Sequence, residues 1–179
     1  FSPDGKYIVY TNNADWYKLY KKNSNDASDG IPITSVGAHD PSFSPDGKYI
    51  IYTNGADWYK LYTKNTNDTS NGVPITSGSA FGTSFSPDGK YIVSIISWMI
   101  NQKNANDNSY GTFITSGTSS NSPKFSPDGT YIVYVNWADW WKTYNITLPH
   151  LWQMSAKNSF VNAQNQKSVW LSVYWVDFS

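Results

Sequence analysis

The side chains that could perform acid–base or nucleophilic chemistry are few in this 179-residue chain. It has no Cys, Glu or Arg, so its 13 acidic residues are all Asp and its 13 basic residues are all Lys. The two histidines, His39 and His150, have neither the spacing of a metal site nor a visible nucleophile partner. No phosphate loop, dinucleotide fingerprint or Gly-x-Ser-x-Gly motif occurs. The sequence therefore predicts a protein without catalytic activity, cofactor or metal.

Two sets of aspartates recur at regular positions. One set lies in Pro-Asp-Gly turns, where we expect each carboxylate to bond the backbone of its own turn; its members are Asp4, Asp46, Asp88 and Asp128. The other set precedes a tryptophan, in the pairs Asp15–Trp16, Asp57–Trp58 and Asp139–Trp140. Trp beside a carboxylate can stack on a sugar ring or anchor a protein partner. Alternatively, each Trp packs between neighbouring sheets and each Asp caps its turn. These six residues are the candidate binding site.

Charge and hydropathy exclude some partners. The formal net charge is zero and Arg is absent, which argues against nucleic acid as the main partner because phosphate binding needs a basic surface. No apolar run is long enough to span a membrane. Aromatic residues make up 17% of the chain, including 9 Trp and 14 Tyr, and polar residues separate the short apolar segments. This pattern is typical of many short strands and turns.

An internal repeat organises the chain. The string FSPDG begins at Phe1, Phe43, Phe85 and Phe125, at spacings of 40 to 42 residues, which is the length of a propeller blade. The first two units differ at only seven of their first 35 positions. The third and fourth units diverge further, and the match is lost after Tyr144.

One unit predicts four short strands. In the second unit these are residues 40–44, 48–53, 58–64 and 73–77, with tight turns and polar loops between them. The second strand is almost continuously apolar, so we expect it to be buried on both faces. The third alternates, with Trp58, Lys60, Tyr62 and Lys64 on one side, and predicts a solvated lysine face. Pro74 in the fourth strand favours an edge position.

These motifs carry a family resemblance. The FSPDGKYIVY segment, the LYKKN strand and the IPITS strand resemble the WD-repeat-like blades of the TolB family, and similar blades occur in tricorn protease and prolyl-oligopeptidase-type peptidases. The resemblance spans residues 1–144 and implies an all-β propeller of four-stranded antiparallel blades. It also implies an exported or periplasmic location. Propellers host many functions, so the resemblance is specific for fold rather than for activity.

The sequence leaves ring closure open. Residues 145–179 diverge from the repeat, and the strand-like run from Val169 to Ser179 either supplies an inner strand to the first blade or belongs to a degenerate fifth blade. Because the chain opens at Phe1, where an inner strand should end, we expect an incomplete array, a fragment of a longer one, or a ring shared between two chains.

Three functions fit these observations. The first is a non-enzymatic propeller that binds a protein or associates with copies of itself. The second is carbohydrate binding at the three Trp–Asp pairs. The third is the propeller portion of a larger peptidase or Tol-type periplasmic protein, whose flanking sequence carries the activity.

Overall fold

The computed structural model describes residues 1–105, 107, 109–116 and 120–148. Within these ranges the chain is all-β, as predicted, and its only helical segments are two single 3-10 turns, Asn13–Asp15 and Gly55–Asp57. The strands are β1 (Tyr7–Asn12), β2 (Lys18–Asn23), β3 (Ile31–Phe43), β4 (Tyr49–Asn54), β5 (Lys60–Asn65), β6 (Val73–Ser79), β7 (Phe81–Phe85), β8 (Tyr91–Ile96), β9 (Met99–Asn104), β10 (Thr112–Phe113), β11 (Ser120–Phe125), β12 (Tyr131–Asn136) and β13 (Lys142–Thr147).

The strands pair antiparallel into four consecutive sheets. Strand β3 belongs to two of them, because its first half pairs with β2 and its second half, from Ala38 to Phe43, pairs with β4. Sheet 1 therefore contains β1, β2 and the first half of β3, and sheet 2 contains the second half of β3 with β4, β5 and β6. Sheet 3 contains β7 to β10, and sheet 4 contains β11 to β13. Sheets 2 and 3 thus have the four antiparallel strands that the repeat predicts.

The third strand of sheet 2 is shorter than predicted. It begins at Lys60, whereas the alternating pattern placed its start at Trp58. Trp58 and Tyr59 have φ values of 52° and 56°, in the left-handed region, and two successive residues in this conformation interrupt an extended strand. The connection therefore takes both aromatic residues out of the ladder.

The apolar core lies between the sheets. One cluster joins Leu19 of sheet 1 to Ile50 and Tyr52 of sheet 2. A second lies between sheets 2 and 3, and a third lies between sheets 3 and 4. Strand β4 contributes to two clusters, since Ile50 and Ile51 point to opposite neighbours and are both fully buried. The prediction of a strand buried on both faces is confirmed.

The predicted solvated lysine face is wrong at Lys64. This side chain is only 2% exposed, and its ammonium donates a hydrogen bond to the carbonyl oxygen of Asp68. Lys103, in the corresponding position of β9, is 3% exposed and donates to the carbonyl oxygens of Asn104 and Asp107, both at 2.9 Å. Burial lowers the pKa of both lysines. The aliphatic stems are buried, and backbone carbonyl oxygens accept hydrogen bonds from the ammonium groups.

The four Pro-Asp-Gly turns share one hydrogen-bond pattern. In sheet 2, the Gly47 amide donates to the Ser44 carbonyl oxygen at 2.9 Å. The Asp46 carboxylate accepts from the Ser44 hydroxyl at 2.6 Å and from the Lys48 amide at 3.1 Å. These bonds, the Ser44 hydroxyl first, lower the pKa of Asp46. The predicted role of the recurrent turn aspartates is confirmed, because the other three turns repeat the serine and amide bonds. The hypothesised closing strand, residues 169–179, lies outside the described residues.

Candidate binding face

The end of the sheets opposite the Pro-Asp-Gly turns carries most of the exposed aromatic side chains. We call it the aromatic face and define it by the connections 13–17, 55–59, 97–98 and 137–141. The passages between sheets reach the same end, where the Ala38 amide donates to the Tyr17 carbonyl oxygen at 2.7 Å and the Ala80 amide donates to that of Tyr59 at 2.9 Å. Both kinds of connection therefore lie at one end of the sheets.

An asparagine, rather than the aspartate, caps the turn in these connections. The Asn54 side-chain oxygen accepts a hydrogen bond from the Ala56 amide at 2.9 Å, at the start of the 3-10 turn. The Tyr59 amide then donates to the Asn54 carbonyl oxygen at 2.9 Å. Asn12 and Asn136 accept equivalent side-chain bonds. The expectation that the aspartate caps the turn is wrong, because an asparagine at the end of the preceding strand already does so.

The aspartates instead bind side chains of the following strand. Asp57 accepts a hydrogen bond from the Tyr62 hydroxyl at 2.8 Å and pairs with the Lys60 ammonium at 3.0 Å. The hydrogen bond from Lys60, followed by that from Tyr62, lowers the pKa of Asp57. Asp15 and Asp139 make the same two interactions in their own sheets. All three carboxylates are therefore ionised at neutral pH and already paired within the chain.

The three tryptophans project into solvent. Trp16, Trp58 and Trp140 are 84%, 83% and 90% exposed, so the interpretation that they pack between sheets is wrong. Each also has a positive φ, and so does the aromatic residue that follows it. Left-handed backbone costs a bulky L-residue about 1 kcal/mol or more. Neither packing within the chain nor backbone preference explains tryptophan at these positions.

A ladder of rings, which the sequence reasoning missed, crosses the aromatic face. Tyr17 contacts His39 at a centroid distance of 5.3 Å, His39 contacts Tyr59 at 5.4 Å, and Tyr59 contacts Phe81 at 6.2 Å. Tyr17 belongs to sheet 1, His39 and Tyr59 belong to sheet 2, and Phe81 belongs to sheet 3. The signal that could have revealed them is the 42-residue spacing of Tyr17 from Tyr59 and of His39 from Phe81.

A second set of rings lies at the other end of the face. Trp137 is 5.2 Å from Trp98 and 5.0 Å from Trp141, measured between centroids. The contact between Trp98 and Trp137 joins sheets 3 and 4, as the first ladder joins sheets 1 to 3. Rings in such tilted arrangements stabilise one another by about 0.5–1.5 kcal/mol per pair. The ladders therefore hold their own side chains in place and present apolar edges to solvent.

The histidines and acids form no metal-binding cluster in the described ranges. His39 lies between two tyrosine rings, and His150 is outside the residues that the structure describes. Across the described part of the chain, no three His, Cys, Asp or Glu residues come close enough together to hold a metal ion. In that same part, none of the helical segments has the length and hydropathy needed to cross a membrane.

Comparison with known proteins gives a structural match without a sequence match. No protein-family profile matches the chain, and no curated protein does. The structure of a putative TolB from Agrobacterium tumefaciens superposes with a TM-score of 0.70 at 20% identity, covering 82% of this chain and 56% of that one. TolB from Acinetobacter baumannii superposes with a TM-score of 0.61 at 21% identity, covering 82% of this chain and 42% of that one. The chain has a TolB-like fold.

This match confirms the resemblance read from the FSPDG repeats. The chain spans about half the length of the TolB structures it matches, so its four sheets correspond to part of a β-propeller. At this identity the match concerns the fold alone. If each sheet is taken as a propeller blade, the aromatic face is the end of the blades where the passages between blades meet the Trp-containing connections.

Proposed function

We propose that this chain is the propeller portion of a Tol-type protein and that it binds a protein partner through the aromatic face without catalysing a reaction. The observation that carries the proposal is the exposure of Trp16, Trp58 and Trp140 in backbone conformations that disfavour them. Residues held in strained backbone conformations cluster at functional sites. Trp is also the residue type most enriched among the residues that dominate binding energy at protein interfaces.

The surroundings of these tryptophans fit a protein interface. The ladder rings form an apolar strip beside them, and interfaces combine an apolar centre with a polar rim. The polar rim is supplied by the ion pairs Lys18–Asp15, Lys60–Asp57 and Lys142–Asp139. Each of these three pairs is internally neutralised.

Carbohydrate binding is the second candidate, and the same exposed indoles favour it. A sugar ring stacks on one open aromatic face and needs hydrogen-bond acceptors beside it. Asp15 and Asp57 already accept bonds from Tyr and Lys side chains. A sugar would have to compete with these contacts, and the ladder rings cover one another's faces. The arrangement therefore favours a protein partner over a sugar.

The test is selection of peptides from a displayed random library, with the Trp16→Ala/Trp58→Ala/Trp140→Ala variant used for counter-selection. Synthetic peptides from enriched clones are titrated by calorimetry, and a glycan array is probed in parallel. We expect peptides whose affinity falls at least about tenfold, or 1.4 kcal/mol, in Trp58→Ala. The control is Tyr110→Ala, which removes an exposed ring next to the loop end of β10, away from the aromatic face.

Two results would contradict this proposal. If the peptides bind the triple variant as tightly as the original chain, the aromatic face is not the docking surface. If glycans bind in a Trp58-dependent manner while no peptide does, the face is a carbohydrate site instead.

A further inference from the structure

The interfaces between neighbouring sheets repeat one arrangement. At each interface the outgoing side of one sheet packs on the incoming side of the next sheet. Between sheets 3 and 4 the outgoing residues are Val93, Ile95 and Ile100, and they pack on Ile132 and Tyr134 of the incoming side. The same strand positions supply the other two clusters. The chain therefore contains three versions of a single interface.

Sheet 1 has an incoming side that no described sheet covers. Its residues are Ile8, Tyr10 and Tyr20, identical to Ile132, Tyr134 and Tyr144 at the same positions of sheet 4. The two tyrosine pairs have the same geometry, with centroids 5.7 Å apart in sheet 1 and 5.8 Å apart in sheet 4. In sheet 4 the isoleucine and first tyrosine are buried, whereas Ile8 and Tyr10 are only half-buried.

Sheet 4 has an outgoing side that also lacks a neighbour among the described sheets. It presents Val133 and Val135, which are half-buried, with Thr143 beside them on β13. The corresponding residues of sheet 3, Val93 and Ile95, are buried. Thr143 stands where the other sheets carry Leu or Ile, so this side is less apolar than its counterparts but keeps both β-branched residues of the central strand.

We infer that, in the 179-residue chain by itself, the outgoing side of sheet 4 binds the incoming side of sheet 1 of a second copy. The partner is a second copy because the two sides already meet, in equivalent form, between sheets 3 and 4. The interface is heterologous, or head to tail, because the two contacting surfaces differ. Such an interface forms a closed ring or an open filament, according to the rotation that relates one copy to the next. Neither side uses the aromatic face, so association leaves the proposed docking surface open.

The experiment is sedimentation velocity of the full 179-residue chain over a wide concentration range. We expect masses that are multiples of the single chain. Tyr10→Asp and Val133→Asp each place a carboxylate in one side, and each should weaken self-association about 100-fold, because an unpaired charge would be buried in an apolar contact. Trp16→Asp, on the aromatic face, is the matched control and should associate like the original chain.

Mixing the two variants is the decisive step. Tyr10→Asp keeps an intact outgoing side and Val133→Asp keeps an intact incoming side, so an equimolar mixture should form a one-to-one dimer that neither variant forms alone. Ile8→Asp and Val135→Asp serve as a second pair if either first variant loses its near-ultraviolet circular dichroism. A monomeric original chain at every concentration overturns the inference, and so does a mixture in which no dimer appears.

Discussion

A glycine-to-alanine substitution can destabilise a fold through left-handed backbone strain or through a steric clash, and three glycines of this chain distinguish the two effects. At Gly30, φ is +75°, and an added Cβ would lie 2.6 Å from the Lys21 carbonyl oxygen and 2.8 Å from the Lys22 Cβ. At Gly5, φ is +71°, but nothing lies within 4 Å of the added Cβ. At Gly78, φ is not in the left-handed region and the added Cβ again meets open space. The three positions thus combine strain with a clash, strain alone, and neither.

The expected changes in the free energy of unfolding follow this order. Gly78→Ala should stabilise the fold by about 0.5 kcal/mol, because alanine loses less backbone entropy on folding. Gly5→Ala should cost about 1 kcal/mol, the penalty of left-handed backbone for an L-residue. Gly30→Ala should cost more than about 3 kcal/mol, because the obstructing atoms include a carbonyl of β2 that is held in the sheet.

The measurement is urea unfolding followed by circular dichroism, with the dependence of the free energy on urea concentration compared among the variants. Equal losses in Gly5→Ala and Gly30→Ala would show that the loop between β2 and β3 opens to admit a methyl group. The close approach of Gly30 to β2 would then not be a fixed feature of the fold.

Three further changes test the interactions that hold the sheets. Ser44→Ala should raise the pKa of Asp46, which the Ser44 hydroxyl holds below its usual 3.8. The hydrogen bond to the ionised carboxylate stabilises the fold fully above pH 3.8, and this stabilisation is lost as the pH falls through the lower folded-state pKa. The difference in the free energy of unfolding between the original chain and Ser44→Ala, measured in urea, should therefore shrink in acid. Asn71→Ala removes two hydrogen bonds of 2.8 Å, one from the Ser35 amide to the Asn71 side-chain oxygen and one from the Asn71 side-chain nitrogen to the Ser35 hydroxyl. It should lower the free energy of unfolding measured in urea by about 1 kcal/mol. Lys64→Met keeps the buried stem without the desolvated ammonium and should lie within about 1 kcal/mol of the original chain, whereas Lys64→Ala should cost about 2 kcal/mol in the same assay because it opens a cavity.

The strand content was predictable because repetition and local chemistry agree. FSPDG fixes a turn through Ser44 and Asp46, and the apolar run of β4 must be buried on both sides. The lysine burial was not predictable, because the alternation of β5 resembles that of a half-solvated strand. Only the neighbouring sheet and the Asp68 carbonyl oxygen, which lies in the following loop, show that the Lys64 ammonium has a buried acceptor.

The candidate site was only half predictable for a related reason. The pairing of Trp58 with Asp57 suggested one joint site, but the backbone turns the indole to solvent and the carboxylate inward to Tyr62. Adjacent residues in left-handed or 3-10 conformations do not obey the alternation of a strand. Side-chain direction at this connection therefore depends on φ values that residue types alone did not indicate.

The third sheet indicates which aromatic residues the face retains. Its connection is a two-residue turn, Ser97–Trp98, with φ values of 51° and 65°, and it has neither the aspartate nor the tryptophan that the other sheets carry before and at the first left-handed position. It nevertheless keeps an aromatic residue at the second left-handed position, as all four connections do, with Tyr17, Tyr59, Trp98 and Trp141. A glycine would be less strained there in every case. The ladder position, rather than the Trp–Asp pair, is therefore the common feature of the aromatic face, and a partner that spans the sheets would meet a ring at this position in each of them.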